Sequence, residues 1–288
     1  MTRRGIELKR ERSFSEVFNA SFEFISQELK LLFRVIGLYA GLPIIIAVIM
    51  SAYYTQDSLT SVLRMVQGSG SENPVTSGGL FLLTLFFSVL TQLFINGLVP
   101  AYFGEYEDKG KGNFSSVDVW KRFIRNFGAI IGYTIVTGII LILGLIFFII
   151  PAIYLFVPLS FILYVKIIEG RSFGDTLSRC FKLIRKRWWI TFGIIIIAYI
   201  IVSIVSTLFS FPSMIVAGIE GFLVGGGHQD AESSKSLVFI ITTVIAGLGQ
   251  YLIYPALYVI IAFQYYSLRE QKDREVLMDK VSAINLDA

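Results

Sequence analysis

Few residues in this chain are of the types that do chemistry, and they are scattered. Glu105, Glu107 and Asp108 form a tight acidic group, and three close carboxylates could hold a divalent cation or assist phosphodiester hydrolysis. That chemistry needs further ligands, and the neighbouring Lys109 and Lys111 point to a solvated loop instead. His228, with Asp230 and Glu232, has metal-ligand types in one short run. It is the only histidine, so a histidine metal cluster or a histidine-dependent triad cannot be assembled in one chain. Cys180 is also single, which excludes an intrachain disulfide and a CxxC motif. Gly225-Gly226-Gly227 lacks the Lys-Ser/Thr of a phosphate loop and reads as a flexible linker. The expectation is a protein with no enzymatic activity, no cofactor and no metal.

Two other groups of side chains carry more information. Lys182, Arg185, Lys186 and Arg187 crowd one stretch and run into Trp188-Trp189. Bases beside tryptophans suit a helix in the headgroup region of an anionic leaflet, so these six are the candidate lipid-contact residues. Within apolar stretches lie Gln92 and Asn96, four apart and so on one helix face, and Gln250 and Gln264. Intramembrane amides most often bond neighbouring helices. With Pro100, Pro158 and Pro255, which would kink their helices, Gln92, Asn96 and Gln250 make up the candidate cavity set.

The elements that must position these residues are membrane spans. Over 288 residues, 55% are hydrophobic and 16% charged, with a mean hydropathy of +0.70. Several stretches approach or exceed the ~20 apolar residues that cross a hydrocarbon core. The expected spans are 34–54, 80–103, 127–150, 151–165, 189–211 and 237–266, all free of Asp and Glu. The third and fourth form one unbroken run of 39 residues, 127–165. At ~1.5 Å per residue a single helix of that length is about twice the membrane thickness. Bases flank both ends, so the chain is expected to double back near Pro151.

Charge sets the orientation. Seven Lys/Arg fall in 1–34, five in 104–126, seven in 166–187 and four in 267–288, leaving only Arg64 and Lys235 on the opposite side. This bias predicts six spans with both termini cytoplasmic. The first 33 residues are charged and amphipathic and lack the apolar core of a cleavable signal.

A triplication organises the whole. Ser13/Glu16, Ser115/Asp118 and Ser172/Asp175 each have the Ser-x-x-acid spacing of a helix capping box. Each box precedes a stretch with apolar residues at steps of three or four. These are Phe14, Phe18, Phe22, Ile25, Leu29 and Leu32 in the first stretch, then Trp120, Phe123, Ile124 and Phe127, and finally Leu177, Phe181, Ile184 and Trp188. Each unit then carries its proline in the returning span. The fold class read from this is an all-α integral membrane protein, a single membrane domain over 1–288. Its six transmembrane helices form three parallel hairpin repeats, each preceded by a cytoplasmic interfacial amphipathic helix. The first repeat covers 13–108, the second 114–169 and the third 172–270, with 271–288 as a cytoplasmic tail. The outer connections are expected at 55–79, with an amphipathic piece at 59–66 and a Gly-Ser run at 68–71, and at 212–236.

The opening SFSEVFNASFEFISQELKLLF, its echo SFGDTLSRCFKLIRKRWWITFG and the Pro-bearing returning helices resemble poorly characterised bacterial multi-pass families. Among these is the membrane domain found with glycerophosphoryl diester phosphodiesterases. The hydrolytic part of that family is a separate soluble barrel with no counterpart here, so the resemblance implies membrane location and not hydrolysis. The three-hairpin plan is also similar to that of mitochondrial carriers. Those place an acid two residues after the proline, where this chain has Tyr102, Ser160 and Leu257.

The expected function is therefore that of a multi-pass protein of the bacterial inner (cytoplasmic) membrane. Its partners would be anionic membrane lipids and other membrane proteins, not nucleic acid. The alternative is a transporter or lipid-moving protein with a cavity between Pro-kinked helices.

Overall fold

A computed structural model describes residues 5–68, 74–147, 149–228 and 236–286. Residues 69–71 of the Gly-Ser run, Asp230, Glu232 and Lys235 lie outside the described residues. All regular structure among the described residues is helical. Six stretches are long and apolar enough to cross a membrane: Gly41–Val66, Gly78–Lys109, Phe127–Phe147, Ile149–Glu169, Trp188–Gly225 and Leu237–Met278. The chain is a multi-pass membrane protein by this measure.

Helix α1 (Phe14–Tyr39) is longer than the amphipathic opening and takes in the start of the expected first span. Pro43 explains the shift. Its ring would clash with the carbonyl of Tyr39, so the helix cannot run through, yet in the first turn of a new helix it is tolerated. The chain accordingly breaks at Ala40 and resumes as α2 (Gly41–Val66). The series 14/18/22/25/29/32 falls within this helix, and its members divide between the packed and the exposed faces. The buried face is Val17, Phe18, Ser21, Phe24, Glu28, Leu32, Val35 and Ile36, whereas Phe14, Phe22 and Leu29 are exposed.

The expected outer connections are also corrected. The piece at 59–66 is the last stretch of α2, because no Gly or Pro interrupts the helix before Gly68, whose φ of 70° ends it. Residues 212–225 continue α9 (Trp188–Gly225) through Pro212. An apolar helix in lipid tolerates an internal proline because every other backbone group must stay paired. It stops at the glycine run, where Gly227 has a φ of 71°. The helices that carry these spans therefore run past the expected bounds and take in Asp57 and Glu220, and Glu220 is buried.

The other long elements are α3 (Pro74–Lys109), α5 (Phe127–Phe147), α6 (Ile149–Leu159) and α10 (Leu237–Leu286). Helix α10 carries the expected sixth span and continues without a break to Leu286 in the expected tail, 50 residues in all. Gly144 of α5 faces Ala152 of α6, where an added Cβ would meet the Ala152 Cα at 3.1 Å. Two helical positions eight apart lie ~12 Å apart along one axis, so α5 and α6 pack against each other. After Pro158 the helix falters. A short α7 (Ile162–Tyr164) and a π-helical stretch, Val165–Glu169, lead to Gly170, whose φ of 67° turns the chain toward the next helix.

The chain divides into two compact units. One comprises Met1–Ile36, Ile95–Ile200 and Ala256–Ala288, and the other Gly37–Phe94 and Ile201–Pro255. In the second, glycines let helices approach closely. Gly247 meets Val48 and Gly249 meets Phe209, while Leu63 and Val224 are buried against Leu59.

The first unit holds most of the buried polar chemistry. Phe24 sits among Tyr102, Phe103, Tyr106 and Phe263, with ring centroids 4.7 to 6.1 Å away. Buried Glu28 accepts a 2.6 Å hydrogen bond from the Tyr102 hydroxyl. The segment before α1 is tied to α10: the Arg12 N–H donates to Ser267 Oγ at 2.9 Å and the Arg12 guanidinium lies 5.0 Å from the Phe263 ring centroid.

Candidate functional site

The basic stretch is positioned by α8 (Phe173–Ile184). Its cap forms as the spacing predicts: Ser172 Oγ accepts from the Asp175 N–H and donates to its carboxylate at 2.6 Å. The other two boxes also close their acid-to-backbone bonds, with the Ser13 N–H at 2.7 Å from Glu16 and the Ser115 N–H at 2.8 Å from Asp118. These bonds hold the Glu16 and Asp118 carboxyls below the usual carboxylate range.

Helix α8 buries Thr176, Cys180, Leu183 and Ile184, a face that shares only Ile184 with the periodic series 177/181/184/188. Leu177 and Phe181 are only half-buried. Arg179, next to that face, is clamped by acids from two other elements. It donates to Asp273 of α10 at 2.8 Å and reaches Glu169 at 3.2 Å. Glu169 also accepts from the Tyr265 hydroxyl at 2.9 Å. Burial works against the Arg179 charge, and these acids more than restore it.

Burial of Cys180, reinforced by Glu169, pushes its thiol up to about 12. A rise from 9.0 to about 12 cuts the thiolate fraction by about a thousandfold. Maleimide labelling of the folded protein near neutral pH should therefore be negligible and appear only on denaturation. Rapid labelling of the native protein would show that α8 is not held in this position.

After α8 the chain turns through Arg185–Arg187 and starts α9 at Trp188. Trp188 donates from Nε1 to the Tyr154 carbonyl at 3.2 Å and stacks between Tyr154 and Phe192, at 5.4 and 5.1 Å. Trp189 is 76% exposed. Arg185, Lys186 and Arg187 thus stand beside an aromatic wall, and together with Ile150, Ile153 and Ile190 they line a groove of about 650 Å³. Five of the six candidate lipid-contact residues line this groove, and Lys182 lies four positions before Lys186. Lys186 pairs with Glu275 at 3.2 Å and Arg187 with Glu11 at 3.9 Å. Lys182 and Arg185 form no ion pair among the described residues and are exposed.

Sequence reasoning missed Arg179, Tyr154 and the α10 residues Lys272, Arg274 and Glu275. One signal was available for Arg179: it lies seven residues after Ser172, just as Arg122 lies seven after Ser115. Arg122 belongs to α4 (Ser116–Arg125) and is held in the same way, by acids from another element. It bonds Glu105 at 2.7 Å and also Asp108. The acidic group is therefore not a solvated loop. Its three carboxylates lie in the last turns of α3, with Glu105 buried and Glu107 accepting from Tyr266 at 2.9 Å and pairing with Lys9 and Arg269. These acids serve bases, and among the described residues no group of acids, histidine and cysteine could hold a metal ion.

The candidate cavity residues are not brought together in one unit. Asn96, Pro100 and Pro158 belong to the first; Gln92, Gln250 and Pro255 belong to the second. The three prolines are buried, in α3, α6 and α10. Gln250 is exposed and bonds Tyr254 at 3.1 Å. No family model, curated protein or solved structure matches this chain.

Proposed function

We propose that the chain is a non-enzymatic multi-pass protein of a bacterial cytoplasmic membrane, with both termini on the cytoplasmic side. It holds anionic lipid at the corner between α8 and α9. The observation that carries this reading is the groove in which three bases meet an apolar and aromatic wall. Such a surface pairs a phosphate with the guanidinium and ammonium groups and lays acyl chains on the rings and isoleucines. The one-sided charge distribution supports the orientation. The three-hairpin plan is supported by serine-to-acid bonds at all three Ser-x-x-acid starts, by the packing of α5 on α6, and by the acid-to-arginine contacts between successive repeats.

The test uses the tryptophans as reporters, since two of the three in the chain line the groove. In mixed bilayers, brominated phosphatidylglycerol should quench their fluorescence in preference to brominated phosphatidylcholine. At about 1 kcal/mol per base near a charged surface, discounted for the partners of Lys186 and Arg187, the preference should be roughly tenfold. It should fall toward unity when Lys182, Arg185, Lys186 and Arg187 are all replaced by Gln. Equal quenching by both lipids in the unsubstituted protein would overturn the reading. The alternative, movement of lipid through a cavity, rests on the three buried prolines, and lipid scrambling by the purified protein in proteoliposomes tests it.

A further inference from the structure

Beside the groove just described lies a second one, of about 420 Å³, lined by Lys182, Lys186, Arg187, Lys272 and Arg274 with Glu11 and Glu275. The two have Lys186 and Arg187 in common, so they meet at those two side chains. Their characters differ. The first has a mostly apolar lining, with its three bases in consecutive positions, whereas the second is lined largely by charged groups. Taken together, six bases face two acids. Each acid is already engaged: Glu275 pairs with Lys186 and Lys272, and Glu11 with Arg187 and Arg274. The surplus of bases far exceeds what one phosphate would neutralise.

We propose, resting on the anionic-lipid reading above, that the paired grooves form one site for a phospholipid carrying two phosphate groups. One phosphate lies at Arg185 and Arg187 with its acyl chains along Trp188, Trp189 and Ile153. The second occupies the neighbouring groove, among Lys182, Lys272 and Arg274, and the shared Lys186 stands between them. A headgroup of this class sets two separated anions against the four surplus bases and so neutralises twice what a singly charged phospholipid can. A singly charged phospholipid reaches only the first groove. Basic pockets formed where helices leave the cytoplasmic face are the kind of surface that recognises such headgroups. Selectivity between lipids of equal charge density then comes from α10, which supplies Lys272 and Arg274 to the second groove alone.

The experiment compares tryptophan quenching by brominated cardiolipin and by brominated phosphatidylglycerol, in nanodiscs matched for total phosphate charge. The expected result is about a tenfold preference for cardiolipin, equivalent to ~1.4 kcal/mol. The variant Lys272→Gln/Arg274→Gln should abolish that preference and leave the preference for phosphatidylglycerol over phosphatidylcholine intact. Both side chains are partly or largely exposed, and an unchanged circular dichroism melt confirms that the variant folds. No cardiolipin preference in the unsubstituted protein, or one that survives the double substitution, overturns the two-phosphate site while the anionic-lipid reading stands. Loss of the phosphatidylglycerol preference in the unsubstituted protein overturns that reading instead. Displacement of the brominated lipid by inorganic pyrophosphate would identify a soluble diphosphate as the ligand and overturn the lipid assignment.

Discussion

Replacing Arg122 by Met should destabilise the protein by about 3–5 kcal/mol, the cost of leaving a buried charge without its partner. The Arg122 and Glu105 side chains are only 10% and 7% exposed and meet at 2.7 Å. Removing the guanidinium leaves the Glu105 carboxylate only Lys109, at 2.9 Å, an exposed ammonium shared with Asp118 at 3.0 Å that compensates a buried charge poorly. The close fit adds to the loss. Arg122 lies directly over Gly104, where a Cβ would collide with Nη1, so the shorter Met gives up part of that contact. The measurement is thermal or denaturant unfolding in a fixed detergent. A sharper version adds Glu105→Leu to Arg122→Met. Removing both charges leaves nothing stranded, so the double variant should be more stable than Arg122→Met alone. A single-variant loss under about 1 kcal/mol would place the pair in the class of solvent-screened surface bridges. It would also overturn the view that α4 is locked to the end of α3.

Phe24→Ala should cost about as much, roughly 3–5 kcal/mol, through the cavity it leaves. The Phe24 side chain is fully buried and its ring is surrounded by four other aromatic rings from α3 and α10. Edge-to-face and offset pairs of this kind contribute beyond the buried area. The control lies two residues away. Phe22 is 46% exposed, so Phe22→Ala should change stability by no more than about 0.5–1 kcal/mol. The same unfolding assay reads both, and equal losses from the two would contradict the buried face of α1.

That contrast illustrates why some of the fold was legible and some was not. Phe14, Phe18, Phe22, Ile25 and Leu29 repeat at helical steps. In a membrane protein the outward face is also apolar, because its solvent is lipid. Periodicity therefore identified the helix but not which apolar face packs. Glu28, an acid, is on the buried face because Tyr102 is there to donate to it. The ends of α2 and α9 were misplaced for a related reason. Asp57 and Pro212 looked like span boundaries, but a long helix pairs its own backbone and continues until glycine ends it. The candidate lipid residues were visible as a run of bases beside tryptophans, yet two of the six bases in the paired grooves come from α10, more than 80 residues later in sequence.

The sequence by itself determined that the chain crosses a membrane in six apolar helices and where three of its helices are capped. Both are local properties, set by hydropathy over ~20 residues and by side chains three positions apart. Only the tertiary structure decided that Arg122 and Arg179 are held by acids from other elements, and that the bases of α8 and α10 converge on adjoining grooves. Ion pairing and groove formation depend on distances between segments far apart in the chain, and no local pattern of residues records those distances.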